Sequence, residues 1–246
     1  DDIKQYYKTY YAPNNAVLVV VGDFETSKLL ELIKKYYAHI PAQVPPPPVI
    51  TVEPPQLGRK EAIIRKEAQT PSFMVAYHGP DCTSPDFFAL SILQKPLLEG
   101  ESSRLYRRLV REEQLALSVS GSIEEKIDPF LFFIEVKPRP GVDLARIEKI
   151  IDEELTKIIQ DGLTETEYEK ALNIVRSSFY SSLQTNSGKA NMLGAMEMLY
   201  GNYDRLFTLI DSYLTVKRED IPSIARKYFN DLNKTAGYLI PEGGQK

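Results

Sequence analysis

The sequence predicts an α+β fold, an antiparallel-rich sheet covered by helices, and three observations carry that prediction. Runs such as 72–78 (SFMVAYH) and 130–137 (FLFFIEVK) have the length and the β-branched and aromatic content of strands. Longer segments place apolar residues at 3/4 spacing, most clearly at 143–160, where Leu144, Ile147, Ile151, Leu155 and Ile158 form one stripe. Caps and stops fall where those helices need them: Ser84 before Pro85, Gly162 after the stripe, and Thr164 three residues before Glu167.

Taken in order, residues 1–11 read as a helix through Ile3, Tyr6, Tyr7, Tyr10 and Tyr11, stopped by Pro13-Asn14-Asn15. The run 16–21 (AVLVVV) is apolar at every position, which predicts a central strand covered on both faces. After Gly22-Asp23, Thr26 is placed to cap a helix carrying Leu29, Leu30, Ile33, Tyr36, Tyr37 and Ile40. Residues 41–58 hold seven prolines in 18 positions, four of them consecutive. Such a run favours extended polyproline II and predicts a semi-rigid linker between domains.

Beyond it a complete domain is expected over 59–246. Residues 61–68 and 72–78 are strand-like around a turn at 69–71, and Ser84 opens a helix over 87–98. Residues 101–113 predict a basic amphipathic helix, followed by strands at 115–123 and 130–137. The striped helix at 143–160 precedes a long helix running to Leu183, and further helical pattern covers 187–200, 203–214 and 219–229. A strand at 235–240 closes the order.

Composition excludes several function classes. The apolar share of 43% and charged share of 26% are those of an ordinary globular protein, and a net charge of −4 argues against nucleic acid or an anionic membrane as partner. No apolar run approaches the roughly 20 residues of a membrane span. Cys82 is the single cysteine, so no intrachain disulfide can form. A zinc centre needs three protein ligands, and the chain offers only His39 and His78, neither with a His or Glu at helical ligand spacing. The turn His78-Gly79-Pro80-Asp81-Cys82 reads as a plain loop, and the acids Glu112-Glu113, Glu165, Glu167 and Glu169 as solvated or capping helix charge. Arg104, Arg107, Arg108 and Arg111 share one helix with Leu105, Tyr106, Leu109 and Val110. With the apolar set packed inward, the arginines are expected on outer faces, paired with nearby acids.

The two ends of the chain follow one plan. Asp2-Ile3 matches Asp220-Ile221, Tyr10-Tyr11 matches Tyr228-Phe229, and Asn15 matches Asn233, each at an offset of 218 without a gap. The economical reading is a duplicated protein: residues 1–40 are the tail of a first copy, 41–58 a linker, and 59–246 the second copy.

Residues YYKTYYAPNNAVLVVVGDF, TPSFMVAYHGP, SPDFFALSIL and GESSRLYRRLVREEQLALSV, with the closing ARKYFN–strand element, resemble the pitrilysin/insulinase family of inverted zinc metallopeptidases, in its bacterial and mitochondrial-processing branch. The resemblance implies the second copy of a duplicated two-layer metallopeptidase-type domain. It places the zinc motif H-x-x-E-H in a first domain upstream of Asp1, so this chain is expected to hold no catalytic residue, no metal and no cofactor. In such proteins the second domain helps to enclose a peptide or unfolded polypeptide, and a homologous peptidase subunit is the expected partner. Ser102, Ser103, Arg104 and Leu117 are the positions implied to meet substrate. Relatives that carry an Arg and a Tyr seven residues apart place them where Val110 and Leu117 stand here, so that charge and that hydroxyl are missing. A non-catalytic structural or docking subunit of the same family is the alternative. Nothing in the sequence separates bacterial cytoplasm from periplasm.

Overall fold

The computed structural model of the protein describes residues 1–242, so the expected domain bound at Lys246 lies outside the described residues. The chain divides into two compact units. The first comprises Asp1–Pro54 with Tyr180–Phe207, and the second Pro55–Phe179 with the chain from Thr208. Residues 180–207, which the sequence pattern assigns to the C-terminal domain, thus cluster with the first unit.

The second unit holds the sheet. Strands β1 (Lys60–Lys66), β2 (Ser72–His78), β3 (Ala116–Ile123), β4 (Leu131–Pro138) and β5 (Lys234–Pro241) are arranged in the order β1-β5-β2-β4-β3. Three pairings are antiparallel and one, β1 with β5, is parallel, so the antiparallel-rich sheet is as expected. The turn at 69–71 does not close a hairpin, because β5 inserts between β1 and β2. Along β2 and β4 every second side chain (Phe73, Val75, Tyr77; Phe132, Ile134, Val136) is buried. This face packs with helices α3 (Pro85–Leu98), α5 (Leu144–Asp161) and α9 (Ile221–Tyr228) into one core.

Ser84 caps as expected, its hydroxyl accepting from the Asp86 N–H, and Asp143, a cap that the sequence reading did not single out, accepts from the Ala145 N–H. In the box that opens α6 (Glu165–Ser182), the Thr164 hydroxyl accepts from the Glu167 N–H at 3.2 Å while the Glu167 carboxylate accepts from the Thr164 N–H at 2.9 Å. Gly162 closes α5 at φ 74°, a backbone that disfavours any side chain.

Three expectations need correction. The helix expected over 101–113 begins only at Arg104, runs as α4 (Arg104–Tyr106) for one turn, and continues as a π-helix at Arg107–Glu112. The wider winding ends where Gln114 takes a left-handed backbone, φ 50°, and the Leu115 N–H reaches back to the Leu109 carbonyl. Thr26 does not cap α2 (Thr26–Tyr37): it is the first helical residue, and Glu25 stands at the cap position with its carboxylate on Ser27 and Lys28 rather than on a helix N–H. The run 16–21 forms no strand and pairs with none among the described residues, and Val17, Leu18 and Val20 are exposed rather than covered. Apolar composition sets the propensity to extend, but only neighbouring strands turn extension into sheet.

In the first unit, α1 (Asp2–Tyr10) brings Tyr6 against Tyr10 and stacks Tyr7 on Tyr11, and a 3₁₀ turn comes next at Pro13–Asn15. Residues 41–57 form neither helix nor strand, and Asn14 holds them through both a donated and an accepted bond with the Gln43 backbone. Helix α7 (Asn186–Tyr200) belongs to this unit and ends at Gly201 in the left-handed region. Helix α8 (Leu209–Leu214) lies in the second unit, where Tyr213 meets Phe88 edge-on.

Two substitutions test this packing. Leu109 is fully buried on the π-helix, so Leu109→Ala should lower stability by about 2–5 kcal/mol in chemical denaturation. A Cβ on Gly121 would lie 2.2 Å from the Phe133 carbonyl oxygen. Gly121→Ala should therefore cost roughly 3 kcal/mol or more by the same measurement, and a near-wild-type midpoint would show that β3 and β4 are not so close.

Candidate functional site

The resemblance puts the substrate-facing residues within 97–119, and the structure distributes them over two places. Ser102 and Arg104 line a cleft of about 680 Å³ between the 104–112 helical segment, α5 and the start of α6. Arg107, Arg108, Glu112, Glu154, Lys157 and Glu167 supply most of its charged wall. Leu117 stands apart from this cleft. It is the bulged residue of β3, unpaired between Ala116 and Ser118, and 52% exposed. Ser103 lies between them in sequence but is only 1% exposed, and its hydroxyl has no hydrogen-bond partner.

The arginines do not all face outward. Arg104 is mostly buried, and its Nε and Nη2 each donate to the Glu167 carboxylate at 2.6 Å, a two-point bond in a fork that also reaches the Gly162 carbonyl. Arg108 donates to Glu113, Glu153 and Glu154, so one guanidinium fastens the π-helix to α5. Arg107 pairs with Glu112 and Arg111 with Glu101, both at the surface. The expected pairing with nearby acids is present; the expected outer position fails for Arg104 and Arg108, because their partners sit on the helices that cover the core.

These pairs set the charge states. The hydrogen bond to Glu167 raises the Arg104 guanidinium above its ordinary value, against the opposing effect of burial. Burial pushes Glu167 up, but bonds from Arg104 and Thr164 outweigh it and hold its carboxyl below the ordinary range. Glu113, bonded by Arg146 and Arg108, is likewise lowered. The cleft therefore presents a mosaic of compensated charge. Lys170, also on its wall, donates to a hydroxyl, that of Ser102.

Sequence reasoning missed the most buried acid of this wall. Glu154, 6% exposed, receives both Arg108 and Lys157. A signal for it exists: it is four residues from both Ile150 and Ile158, within the apolar stripe of α5. A second cluster was also missed, where the buried Lys234 ammonium donates to Glu148 and Asp152 at 2.7 Å.

No group of three or more His, Cys, Asp or Glu converges on a possible metal position among the described residues. The described residues therefore do not fit a zinc centre. Cys82 is buried, its N–H donating to the Lys126 carbonyl. No described helix is long and apolar enough to cross a membrane.

Residues 1–175 match the family model of the peptidase M16 inactive domain. The zinc protease PqqE of Helicobacter pylori is 28% identical over 98% of this chain and 54% of its own length. A protease from Helicobacter pylori, known from its crystal structure, superposes with a TM-score of 0.90 at 28% identity, covering 98% of this chain and 58% of that one. The peptidase M16 inactive domain from Pseudomonas fluorescens gives a TM-score of 0.83 at 22% identity over 99% of this chain and 57% of that one, a likeness of fold. The chain spans about half the length of the curated relatives it matches.

The Arg104–Glu167 pair yields a test. A folded-state carboxyl below its unfolded value stabilises fully above the ordinary carboxylate range and loses that contribution as pH falls through the folded value. Glu167→Gln should lower stability at pH 7 by about 2–3 kcal/mol and shrink the loss seen on acidification, read from denaturation midpoints between about pH 7 and pH 3. An unchanged pH profile would place the acid sensitivity elsewhere.

Proposed function

Because the chain belongs to the peptidase M16 family, as its inactive domain, we propose that it serves as the non-zinc half of a zinc metalloendopeptidase subunit, enclosing and binding peptide or unfolded polypeptide substrate. Zinc belongs to the activity named for its relatives. Since the residues present do not fit a zinc centre, zinc would be held by the other half of the parent protein, and no chemical step is assigned to this chain.

The observation that carries the reading is the repeat at the two ends, which has a counterpart in geometry. The Asn15 amide donates to the Tyr10 carbonyl at 2.9 Å, and the Asn233 amide donates to the Tyr228 carbonyl at the same distance. Both bonds close a helix, both asparagines end a 3₁₀ turn, and the pairs are related by the offset of 218. Asn233 then leads into β5, with a strand on each side; Asn15 leads into the unpaired 16–21. This supports a duplicated parent in which 16–21 has the place of β5 in a first sheet. Under that reading a homologous domain covers the exposed valines, and a homologous peptidase subunit is the partner.

Within this function the bulge at Leu117 and the cleft wall at Ser102 and Arg104 are the proposed substrate-facing positions. Arg104 acts there by fixing the wall, since Glu167 already occupies its fork. Val110, packed against the core, and Leu117 supply neither charge nor hydroxyl, so the domain contributes enclosure rather than transition-state contacts.

The purified chain, given excess zinc, should hydrolyse no unstructured peptide, as measured by the release of new amino termini. Chelator-sensitive turnover by the chain alone would refute the assignment.

A further inference from the structure

The cations on the wall of the cleft are not all matched in the same way. Arg104 meets Glu167 in a two-point bond, Arg108 and Lys157 share Glu154, and Arg107 pairs with Glu112. Among the described residues, Lys170 alone of these cations is bonded to a hydroxyl, that of Ser102, where the others have carboxylates. Five cations and three acids line the cleft, so its surplus is positive, while the chain as a whole carries a net charge of −4. A local surplus against an opposite net charge draws an anion to that place and not to the surface at large.

The corner at Lys170 is rich in donors. An ammonium has three N–H groups and accepts nothing, and the bond to Ser102 uses one of them. The Ser102 hydroxyl accepts from Lys170 and so keeps its own hydrogen to donate. Thr166 lies one turn before Lys170 on the same face of α6, and its side chain lines the same wall. Lys170 and Ser102 are both exposed, so a ligand reaches them without displacing the core. Arg107 stands on the same wall and is only loosely held, 3.4 Å from Glu112 with both side chains more than half exposed. A neutral carbonyl could accept one of these bonds, but only an anion also balances the ammonium. Two oxygens sharing one charge fit several donors at a single corner.

We infer that Lys170, with Ser102 and Thr166, is a specificity-determining position that takes a carboxylate of the bound peptide, so that acidic peptides are favoured over neutral ones. The inference rests on the peptide-binding reading above and adds the class of substrate to it. A chain end and an Asp or Glu side chain present the same two oxygens, and the test separates them.

The whole 246-residue chain is titrated into three fluorescein-labelled forms of one unstructured decapeptide of Ala, Thr and Gln, followed by fluorescence anisotropy. One form is amidated and carries no acid, one has a free terminal carboxylate, and one is amidated with a single central Glu. At least one acidic form should bind about threefold to tenfold more tightly than the neutral form, the range of a partly exposed ion pair. Whichever form gains identifies the source of the carboxylate. The preference should shrink as salt is raised from about 50 mM to about 500 mM, because the ammonium is exposed and screened. Lys170→Gln should erase it and Lys170→Arg should retain it, while Lys60→Gln on β1 should leave it as in the wild type; circular dichroism checks that each variant is folded. Equal binding of neutral and acidic forms, or a preference that survives Lys170→Gln, overturns the inference and leaves the peptide-binding reading standing. If no form binds to the wild-type chain, that reading falls and the inference with it.

Discussion

Helix α5 joins the second unit together through carboxylates on both its flanks. On one side Glu148 and Asp152 receive the Lys234 ammonium from the first residue of β5, and Glu148 also accepts from the Tyr238 hydroxyl and the Arg59 guanidinium. On the other, Glu153 and Glu154 receive Arg108 from the π-helix. Lys234 is only 3% exposed, and a buried ammonium persists only beside compensating charge. Burial, ahead of the attraction of Lys234, leaves Asp152 above its ordinary carboxyl value, while the bonds around Glu148 overcome burial and hold it below. Replacing one member of such a set leaves the others uncompensated, so the position of β5 and the path of 104–112 depend on one helix.

That dependence explains why the elements were legible in the sequence and their arrangement was not. The box at Thr164 and Glu167, the cap Ser84 and the stop at Gly162 act within a few residues, and each does in the structure what its spacing says. The strand order β1-β5-β2-β4-β3 requires β5 to come from far along the chain and separate two strands that are neighbours in sequence. No local pattern encodes that insertion. The π-helix is similar: its residues have ordinary helical spacing, and the extra width is bound up with where Arg108 meets α5 and where Leu115 must enter β3. Of the candidate site, the arginine pairing was legible as charge; the burial of Arg104 and the acid inside the α5 stripe arise from tertiary contacts.

Gly121 shows how the edge of the sheet is tied to its core. Its missing side chain lets β4 approach β3, with the Phe133 carbonyl where a Cβ would stand, and Leu98 of α3 closing the inner side. The same residue turns its backbone off the edge, where Gln94 meets it. A glycine demanded by packing and a strand free of charge therefore coincide at this edge.

The repeat separates what a short segment encodes from what it borrows. Residues 2–15 and 220–233 build the same helix, the same turn and the same asparagine bond, so that module is locally determined. The segments after the two asparagines differ. Residues 234–241 become a strand held between β1 and β2, while 16–21, more apolar still, forms no strand among the described residues. The Asn233 amide also donates to the His78 carbonyl at the end of β2, joining the module to its sheet. The Asn15 amide bonds the Tyr10 carbonyl of its own helix. Strand identity at 234–241 is thus conferred by β1 and β2, neighbours at large sequence separation, and apolar composition alone does not confer it.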